Sequence, residues 1–432
     1  MTQQHQSPDH VTPYDRFAWS DIEVERLLVT GEHERDLAAY FGEAEYRELV
    51  ELARAAGSVT PPVDAPTVFI IPGIMGSQLG LQRERPLPDD VLWLDPIDIQ
   101  LGRLSQLHLS SGARIVPLGV VLYSHLRLKL RLRAAGFAPV LYDYDWRQAI
   151  DRLGGQLADR IRSDPARRVM LVGHSMGGLV SRAALAAPGM DKIERVVLVG
   201  TPNSGSFAPL QALRGTYPVV RKLARMDATE TAELLASRVF NTFPSLYHML
   251  PRKQHGDDVD LFDPREWPRS GPRPDATLLR RARGIAAKLA AADDRVSAII
   301  GVGQETVTAV TKRRGDFIYT ITRKGDGTVP AARAVLTGAR NYYTLAAHND
   351  QTRDAAVAAA VSDILRTGAT QQLPSRIRRM SSAQAQISDR QLRRMHLGKV
   401  DWARLQPEER REFLENLNEP PRLRLRVARR SP

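Results

Sequence analysis

The 432-residue chain carries a formal net charge of +12, with 43% hydrophobic and 25% charged residues, which is an ordinary globular composition. Because it contains no cysteine, disulfide bonds, thiolate metal sites and cysteine nucleophiles are excluded. Residues 1–65 hold 5 Arg and 13 Asp or Glu, whereas residues 366–432 hold 16 Lys or Arg and 7 Asp or Glu. The charge is therefore distributed unevenly, with an acidic N-terminal part and a basic C-terminal part.

Charge and hydropathy also limit the location and the partners. No basic segment followed by an apolar run marks a signal peptide, and no stretch approaches ~18 consecutive apolar residues. We therefore predict a cytoplasmic protein that is at most peripheral at a membrane. The basic surface favours an anionic membrane or nucleic acid, but no zinc-finger, helix-turn-helix or RNA-binding pattern supports nucleic acid. The alternative is a solvated arginine-rich surface, and the oligomeric state stays open.

The first 60 residues are predicted to form an acidic helical appendage. Ser20 is a typical N-cap ahead of the sequence DIEVERLLV, and Gly31 ends that helix. A second helix is predicted from about Glu34 to Ala56. Neither helix carries a catalytic motif.

Residues 66–366 alternate apolar strands with helices, which predicts a mostly parallel sheet flanked by helices. A looser, turn-rich segment at 207–289 interrupts this pattern and is predicted to be a lid or cap. Residues 367–432 form a basic C-terminal extension with a predicted helix at 407–416 and an alternating Arg/Leu segment at 422–426. Docking of the extension on the acidic helices, or disorder, is favoured over contact with anionic lipid.

The segment from Val169 to Ala187 carries the strongest functional signal. Four apolar residues, Val169 to Val172, predict a buried strand, the turn GHSMGG follows, and helical spacing of apolar residues begins after it. Strand, G-x-S-x-G turn and helix together are typical of a nucleophile elbow, which holds a serine at a helix N-terminus. Ser175 is therefore the predicted nucleophile. A chance G-x-S-x-G match is the alternative, and the flanking elements make it less frequent.

A serine nucleophile needs an imidazole to take its proton and an acid to orient that imidazole. With a nucleophile elbow, the order along the chain is serine, acid, histidine. Asp326 and His348 follow that order, and each lies in a turn after a predicted strand, so we predict them as acid and base. Asp143 and Asp145 are the rival acids. His174, inside the elbow, is predicted to be a packing residue.

The strand at Thr67–Ile71 leads into a glycine-rich turn at 72–77. In a fold with a nucleophile elbow, the loop after an early strand supplies one oxyanion donor, and the residue after the nucleophile supplies the other. The backbone N–H groups of Ile74 and Met176 are the predicted donors. The alternative is a plain tight turn.

Eight blocks occur in order along the chain: PGIMGSQL, WLDP, YDYDWR, GHSMGG, GTPNSGS, FPSLYHMLP, GDGTVP and the late His348. With these blocks, residues 66–366 resemble the lecithin:cholesterol acyltransferase family, which includes lysosomal phospholipase A2 and phospholipid:diacylglycerol acyltransferases. The resemblance implies an α/β-hydrolase fold, a mobile lid, and Ser175, Asp326 and His348 as a catalytic triad.

The same resemblance implies that Ile74 and Met176 are the oxyanion donors and that the loop of Trp146 shapes an acyl pocket. Trp93 and Tyr144 are assigned to that pocket as well. The implied activity is that of a serine acyl hydrolase or O-acyltransferase acting on phospholipids or acylglycerols through an acyl-serine intermediate, with no cofactor and no metal. The alternatives are a carboxylesterase for small soluble esters and a non-catalytic binding protein that retains the fold.

This sequence departs from the animal members of that family in two respects. It shows no signal peptide, and it lacks the cysteines that pin a membrane-facing loop near residues 80–95. Interfacial binding through that loop and a sterol acceptor are therefore not expected from the sequence.

Overall fold

The computed structural model describes residues 19–84, 89–254, 257–377, 383–395 and 398–415. The strands are β1 (Thr67–Ile71), β2 (Ser77–Leu81), β3 (Asp90–Trp93), β4 (Val116–Val120), β5 (Ala138–Leu141), β6 (Val169–His174), β7 (Ile193–Val199), β8 (Val296–Gly301), β9 (Thr306–Arg313), β10 (Asp316–Thr322), β11 (Arg340–Thr344) and β12 (Gln384–Ser388).

The helices in the N-terminal half are α1 (Asp21–Thr30), α2 (Glu34–Phe41), α3 (Glu43–Gly57), α4 (Pro96–Gln100), α5 (Leu122–Ala134), α6 (Ile150–Ser163), α7 (Met176–Leu185) and α8 (Phe207–Leu213). The later ones are α9 (Pro218–Met226), α10 (Ala232–Arg238), α11 (Pro244–His248), α12 (Ala276–Ala282), α13 (Ala331–Ala334), α14 (Ala355–Thr367), α15 (Asp389–Arg394) and α16 (Pro407–Glu415). Short 3-10 helices lie at Arg103–Leu107, Phe240–Thr242, Ile285–Lys288 and Trp402–Arg404.

The centre of the molecule is a six-stranded sheet in the order β11–β8–β7–β6–β1–β5, and every neighbouring pair is parallel. Successive side chains of a strand point to opposite faces, so Phe69 packs in one buried layer with α6 and α7, whereas Val68 packs in the other with α5 and α14. Because helices cover both faces, the inner strands β1, β6 and β8 consist mainly of apolar residues, as predicted, whereas the edge strand β11 is largely polar.

Two small antiparallel sheets accompany the central one, with strand orders β3–β2–β4 and β12–β10–β9. In the second, β12 pairs with β10, where Ile318 lies opposite Ser388. β12 comes from the C-terminal extension, so this part of the extension is hydrogen-bonded into the body of the protein.

The N-terminal helices differ in one respect from the prediction. Helix α1 begins and ends as predicted, since the Ser20 hydroxyl accepts the backbone N–H of Glu23 and Gly31 closes the helix in a left-handed conformation. The predicted single helix from Glu34 to Ala56 is wrong, because Gly42 adopts φ 89° and ψ 144° and separates α2 from α3. The apolar periodicity continues across that break and therefore does not show it.

The acidic appendage packs against the basic helix α5, burying a shared apolar layer that includes Leu49 and Leu126. Its carboxylates also pair with the cations of α5. The Lys129 ammonium, which is nearly buried, lies 2.6 Å from Asp21 Oδ2, and Arg131 Nη2 lies 2.7 Å from Glu48 Oε1. Part of the uneven charge seen in the sequence is thus neutralised within the molecule.

The extension is also fastened by a buried ion pair. The side chains of Arg214 and Asp389 have no exposed area, and Arg214 Nη2 lies 2.7 Å from Asp389 Oδ2. The Tyr319 hydroxyl donates to the other carboxylate oxygen at 2.8 Å. The helix predicted at 407–416 is confirmed as α16, and the Arg/Leu segment at 422–426 lies outside the described residues. Among the described helices, none has the length and apolarity needed to cross a bilayer.

Candidate active site

Ser175 lies on the sharp turn between β6 and α7, with φ 54° and ψ −123°. This is a backbone conformation that a residue with a Cβ seldom adopts, and such strain is typical of nucleophile elbows. Glycines permit the turn: a Cβ on Gly173 would lie 2.6 Å from the Cα of Gly178, which is too close for any side chain. Strand β6 and helix α7 can therefore approach each other this closely because Gly173 has no side chain.

The structure brings Ser175, His348 and Asp326 together in one hydrogen-bonded series. The distance from Ser175 Oγ to His348 Nε2 is 2.9 Å, and the distance from His348 Nδ1 to Asp326 Oδ2 is 2.8 Å. Because an ionised carboxylate can only accept, Nδ1 carries the ring proton and Nε2 is left to accept the serine hydroxyl. A parallel sheet with a nucleophile elbow after β6 and an acid and a histidine after later strands identifies the architecture. The chain has the α/β-hydrolase fold.

The carboxylate of Asp326 is buried and held by four donors. Its Oδ1 accepts the backbone N–H groups of Thr328 at 2.9 Å and Val329 at 2.6 Å. Its Oδ2 accepts from His348 and, at 3.1 Å, from the side-chain amide of Gln351. In addition, the backbone N–H of His348 donates to the carbonyl of Asp326 at 2.8 Å. The acid and the base are thus fixed relative to each other through both side chain and main chain.

Sequence reasoning did not find Gln351. It is fully buried, and it lies only three residues after His348 in the turn that precedes α14. The signal available in the sequence was a polar residue three positions after a predicted catalytic histidine. Glutamine is too common in solvated turns for the sequence to single it out, because its burial is not visible there.

The rival acids lie elsewhere in the hydrolase fold. Asp145 forms a two-pronged ion pair with Arg147, with Nε to Oδ1 and Nη2 to Oδ2 both at 2.8 Å. Burial raises the pKa of Asp143, and its own and the Gly119 backbone N–H partly offset this. Neither carboxylate has a hydrogen bond to His348, so the geometry favours Asp326.

The turn at 72–77 lies directly over the serine. A Cβ on Gly73 would be 2.9 Å from the Cβ of Ser175, so a side chain at this position would collide with the nucleophile. Ile74 follows in the wall of the cavity above Ser175, and Met75 adopts a left-handed φ of 65°. Met176 is the first residue of α7, whose N–H has no partner within its helix. Over the described residues, neither predicted oxyanion donor, Ile74 N–H or Met176 N–H, is engaged by a hydrogen bond.

His174 packs against the base rather than against solvent. Its ring centroid lies 4.9 Å from that of His348, and its Nε2 donates to the His348 carbonyl at 3.0 Å. A third ring, His125, lies 5.8 Å from His174 on the other side. Burial, and then the neighbouring imidazoles, hold the pKa of His174 well below its ordinary value. The predicted packing residue therefore stays neutral and also holds the main chain of His348.

Ser175 and His348 open into a cavity of about 120 Å³ with mostly apolar walls. Aromatic and aliphatic side chains of β3, α5, α8 and α11 contribute to these walls, and they include Trp93, Leu94, Tyr123, Ala208, Ala212, Tyr217, Leu246 and Met249. Trp93, which the sequence assigned to an acyl pocket, is one of these wall residues.

Tyr144 and Trp146 are not in the cavity wall. Both are buried, and each donates to the main chain of the glycine-rich turn: Tyr144 Oη to the Pro72 carbonyl at 2.5 Å and Trp146 Nε1 to the Ser77 carbonyl at 3.0 Å. Both rings therefore support the turn that contains Ile74. We correct their assignment from residues of the pocket to residues that hold this turn in place. In the described ranges, no group of three or more His, Asp or Glu side chains could hold a metal ion.

Comparison with known proteins supports the fold. A family model described as PGAP1-like alpha/beta domain, an α/β-hydrolase family, matches residues 146–237, the part of the chain that contains the Ser175 turn. No curated protein sequence is similar enough to count as a relative.

Solved structures show distant similarity. A crystal structure of the Tle4–Tli4 complex aligns with 72% of this chain and 99% of that chain at 15% identity, with a TM-score of 0.42. The mature form of the Bacillus licheniformis lipase BlEst2 aligns with 67% of this chain and 87% of its own at 15% identity, with a TM-score of 0.33. The metagenomic carboxyl esterase MGS0156 aligns with 67% and 66% at 13% identity, with a TM-score of 0.33. These likenesses are too distant to transfer a substrate.

Proposed function

We propose that this chain is a serine acyl hydrolase that attacks ester lipids through an acyl-Ser175 intermediate. One observation carries the proposal: Ser175, His348 and Asp326 form a continuous hydrogen-bonded series, and Ser175 and His348 line a largely apolar cavity. Such a series has the geometry by which a serine hydroxyl becomes a nucleophile.

In the acylation step, Ser175 Oγ attacks the ester carbonyl carbon while its proton passes to His348 Nε2. The carbonyl oxygen becomes an oxyanion, for which the N–H groups of Ile74 and Met176 are the donors. The tetrahedral adduct collapses when the bond from carbon to the alcohol oxygen breaks and His348 Nε2 returns the proton to that oxygen. Asp326 stays ionised and stabilises the imidazolium throughout.

In the deacylation step, an acceptor hydroxyl repeats the sequence in reverse. His348 takes its proton, the acceptor oxygen attacks the acyl carbonyl, and the bond to Ser175 Oγ breaks as the proton returns to the serine. If the acceptor is water, the product is a free fatty acid; if it is an alcohol, the product is a new ester. The blocks shared with the lecithin:cholesterol acyltransferase family are the basis for proposing that an alcohol competes with water at this step.

The walls of the cavity support an apolar substrate over a small polar one. The lining presents more apolar than polar surface, so an acyl chain gains free energy by leaving water there. A phospholipid or acylglycerol supplies such a chain.

Lipid mass spectrometry on mixed phospholipid vesicles, with and without a long-chain alcohol, tests the proposal when wild type is compared with Ser175→Ala. Serine-dependent free fatty acid would establish a lipase, and alcohol esters formed in its place would establish a transferase. If vesicles are left intact while a soluble ester is cleaved, the lipid assignment falls and a carboxylesterase remains. If Ser175 also fails to react with a fluorophosphonate, the catalytic proposal itself is refuted.

A further inference from the structure

The C-terminal extension reaches the cavity. Leu414, in α16, lines it together with residues of the catalytic body such as Leu94 and Tyr123. Nearly three hundred and forty residues separate Leu414 from the glycine-rich turn along the chain, yet both lie on the same cavity. In the described residues, Leu414 is the contribution of the extension to that wall.

The segment before α16 is fastened to the insertion that covers the sheet. The Lys399 ammonium donates to the carbonyls of Ala224 at 2.8 Å and Glu230 at 3.1 Å, and also to that of Asp227. These carbonyls lie at and just beyond the end of α9, where a helix has unpaired acceptors and where a cation is favourable. Arg225 adds two links, because its Nε donates to the Gly398 carbonyl and its carbonyl accepts the N–H of Val400.

Helix α16 is held on two further sides. The ring of Phe413 lies 6.2 Å from that of the buried Trp402 in an edge-to-face arrangement, and the Arg225 guanidinium lies 5.9 Å from the centroid of Phe413. Helix α16 also packs against α2 of the N-terminal appendage. At the end of α2, the Arg411 side chain lies so close to Gly42 that a Cβ there would be 3.2 Å from its Nε. Leu414 is therefore positioned by several independent contacts.

We infer that α16 is a wall of the substrate cavity and that Leu414 determines how long an acyl chain the cavity accepts. This inference rests on the proposed function, because it names the group that the same site selects. The acyl chain is the part of an ester lipid whose chemistry matches the apolar walls, and a leucine at the wall limits the space for it by its volume. The extension is thus part of the binding site and not an accessory to it.

The test is the acyl-length profile of p-nitrophenyl ester hydrolysis by the full chain, expressed as the ratio of kcat/KM for the palmitate to that for the butyrate. Leu414→Ala should raise this ratio about tenfold or more, and Leu414→Trp should lower it by a similar factor, since a single methylene group in an apolar pocket changes kcat/KM by at least about that factor. Leu405→Ala is the matched control. Leu405 lies in the same extension and is half-buried against the same core, but it is not in the cavity wall.

The possible results separate the inference from the function on which it rests. If both Leu414 variants change all esters by one common factor, or if Leu405→Ala changes the ratio as Leu414→Ala does, the residue has only a structural role and the inference is overturned. If wild type shows no ester hydrolysis that depends on Ser175, the proposed function fails first and the inference falls with it. Thermal melts of the three variants show whether α16 remains in place.

Discussion

Replacing Asp326 by asparagine should disable His348 as the base without changing the size or shape of the side chain at position 326. The Oδ1 position accepts two backbone N–H groups, from Thr328 and Val329, so the carbonyl oxygen of the new amide must occupy it. The amide nitrogen then takes the Oδ2 position, 2.8 Å from His348 Nδ1, and presents a donor where an acceptor stood. Nδ1 must give up its proton to accept, and the ring proton moves to Nε2. An imidazole in that tautomer cannot take the proton of Ser175.

A wrong tautomer of this kind lowers kcat by ~10⁴, or about 5 kcal/mol in the activation free energy. The side-chain amide of Gln351 can rotate to accept from the new asparagine, because its oxygen has no other partner among the described residues. The free energy of unfolding should therefore change much less than the activation free energy. The assay is steady-state hydrolysis of p-nitrophenyl butyrate, together with a thermal melt of each variant.

Asp145→Asn is the matched control, because it makes the same chemical change in the rival acid. Asp145 faces Arg147, so its loss weakens a nearly buried ion pair and should cost about 2 kcal/mol of stability. It should leave kcat within about a factor of three, since no proton of the reaction passes through it. Retention of one tenth or more of the wild-type kcat by Asp326→Asn, or a larger loss in Asp145→Asn, would refute the assignment of the acid.

Three other changes have defined outcomes. Ser175→Ala should abolish ester turnover and fluorophosphonate labelling while shifting the melting temperature by little, and measurable turnover would remove the nucleophile assignment. Burial lowers the pKa of His125 to about 4, below its unfolded value of ~6.5, so stability is present above pH ~6.5 and declines as the pH falls towards 4. Between pH 7 and pH 5, the free energy of unfolding measured with urea should fall by about 2 kcal/mol less in His125→Phe than in wild type. An equal fall in the two proteins would contradict this. Arg214→Met removes the nearer cation from the buried carboxylate of Asp389 and leaves Arg393, whose Nη2 lies 3.5 Å from Oδ2, as the remaining one. The change should cost ~3 kcal/mol or more by the same method, whereas a free energy of unfolding equal to that of wild type would show that the extension is not fastened there.

The sequence predicted those parts of the site whose chemistry and local geometry are set by neighbours in the chain. Ser175 is flanked by the glycines that its turn requires, and the turns of Asp326 and His348 each follow a strand. Local pattern was therefore sufficient to place each of the three after a strand. Ser175 follows β6 and His348 follows β11 of the central parallel sheet, and parallel strands bring their carboxyl ends to one edge, so the convergence of these two was foreseeable. Asp326 follows β10 of the antiparallel sheet β12–β10–β9, and its approach to His348 depends on strand order and pairing that the sequence does not contain.

Local pattern was insufficient where tertiary contacts decide. Tyr144 and Trp146 were assigned to the pocket because the resemblance to the lecithin:cholesterol acyltransferase family implies that the loop of Trp146 shapes an acyl pocket. Each of them carries one donor, however, and a buried donor requires an acceptor. The carbonyls of Pro72 and Ser77 supply those acceptors, and both rings lie outside the cavity wall. Trp93 donates to the Met75 carbonyl of the same turn and yet lies in the wall, so only the tertiary arrangement distinguishes the three rings.

The extension was the hardest part to predict, because its charge favours exposure to solvent or lipid whereas its few apolar residues favour packing against the body of the protein. An arginine-rich composition favours a solvated or lipid-facing surface, yet the extension is fastened by the pairing of β12 with β10, by the buried pair of Arg214 and Asp389, and by the Lys399 ammonium at the end of α9. Further along the extension, Trp402 is buried in the core and Leu414 lies at the cavity. Such contacts leave no periodic signature in the sequence. They link α9 of the insertion to α16 of the extension through Arg225, whose guanidinium lies 5.9 Å from the centroid of the Phe413 ring.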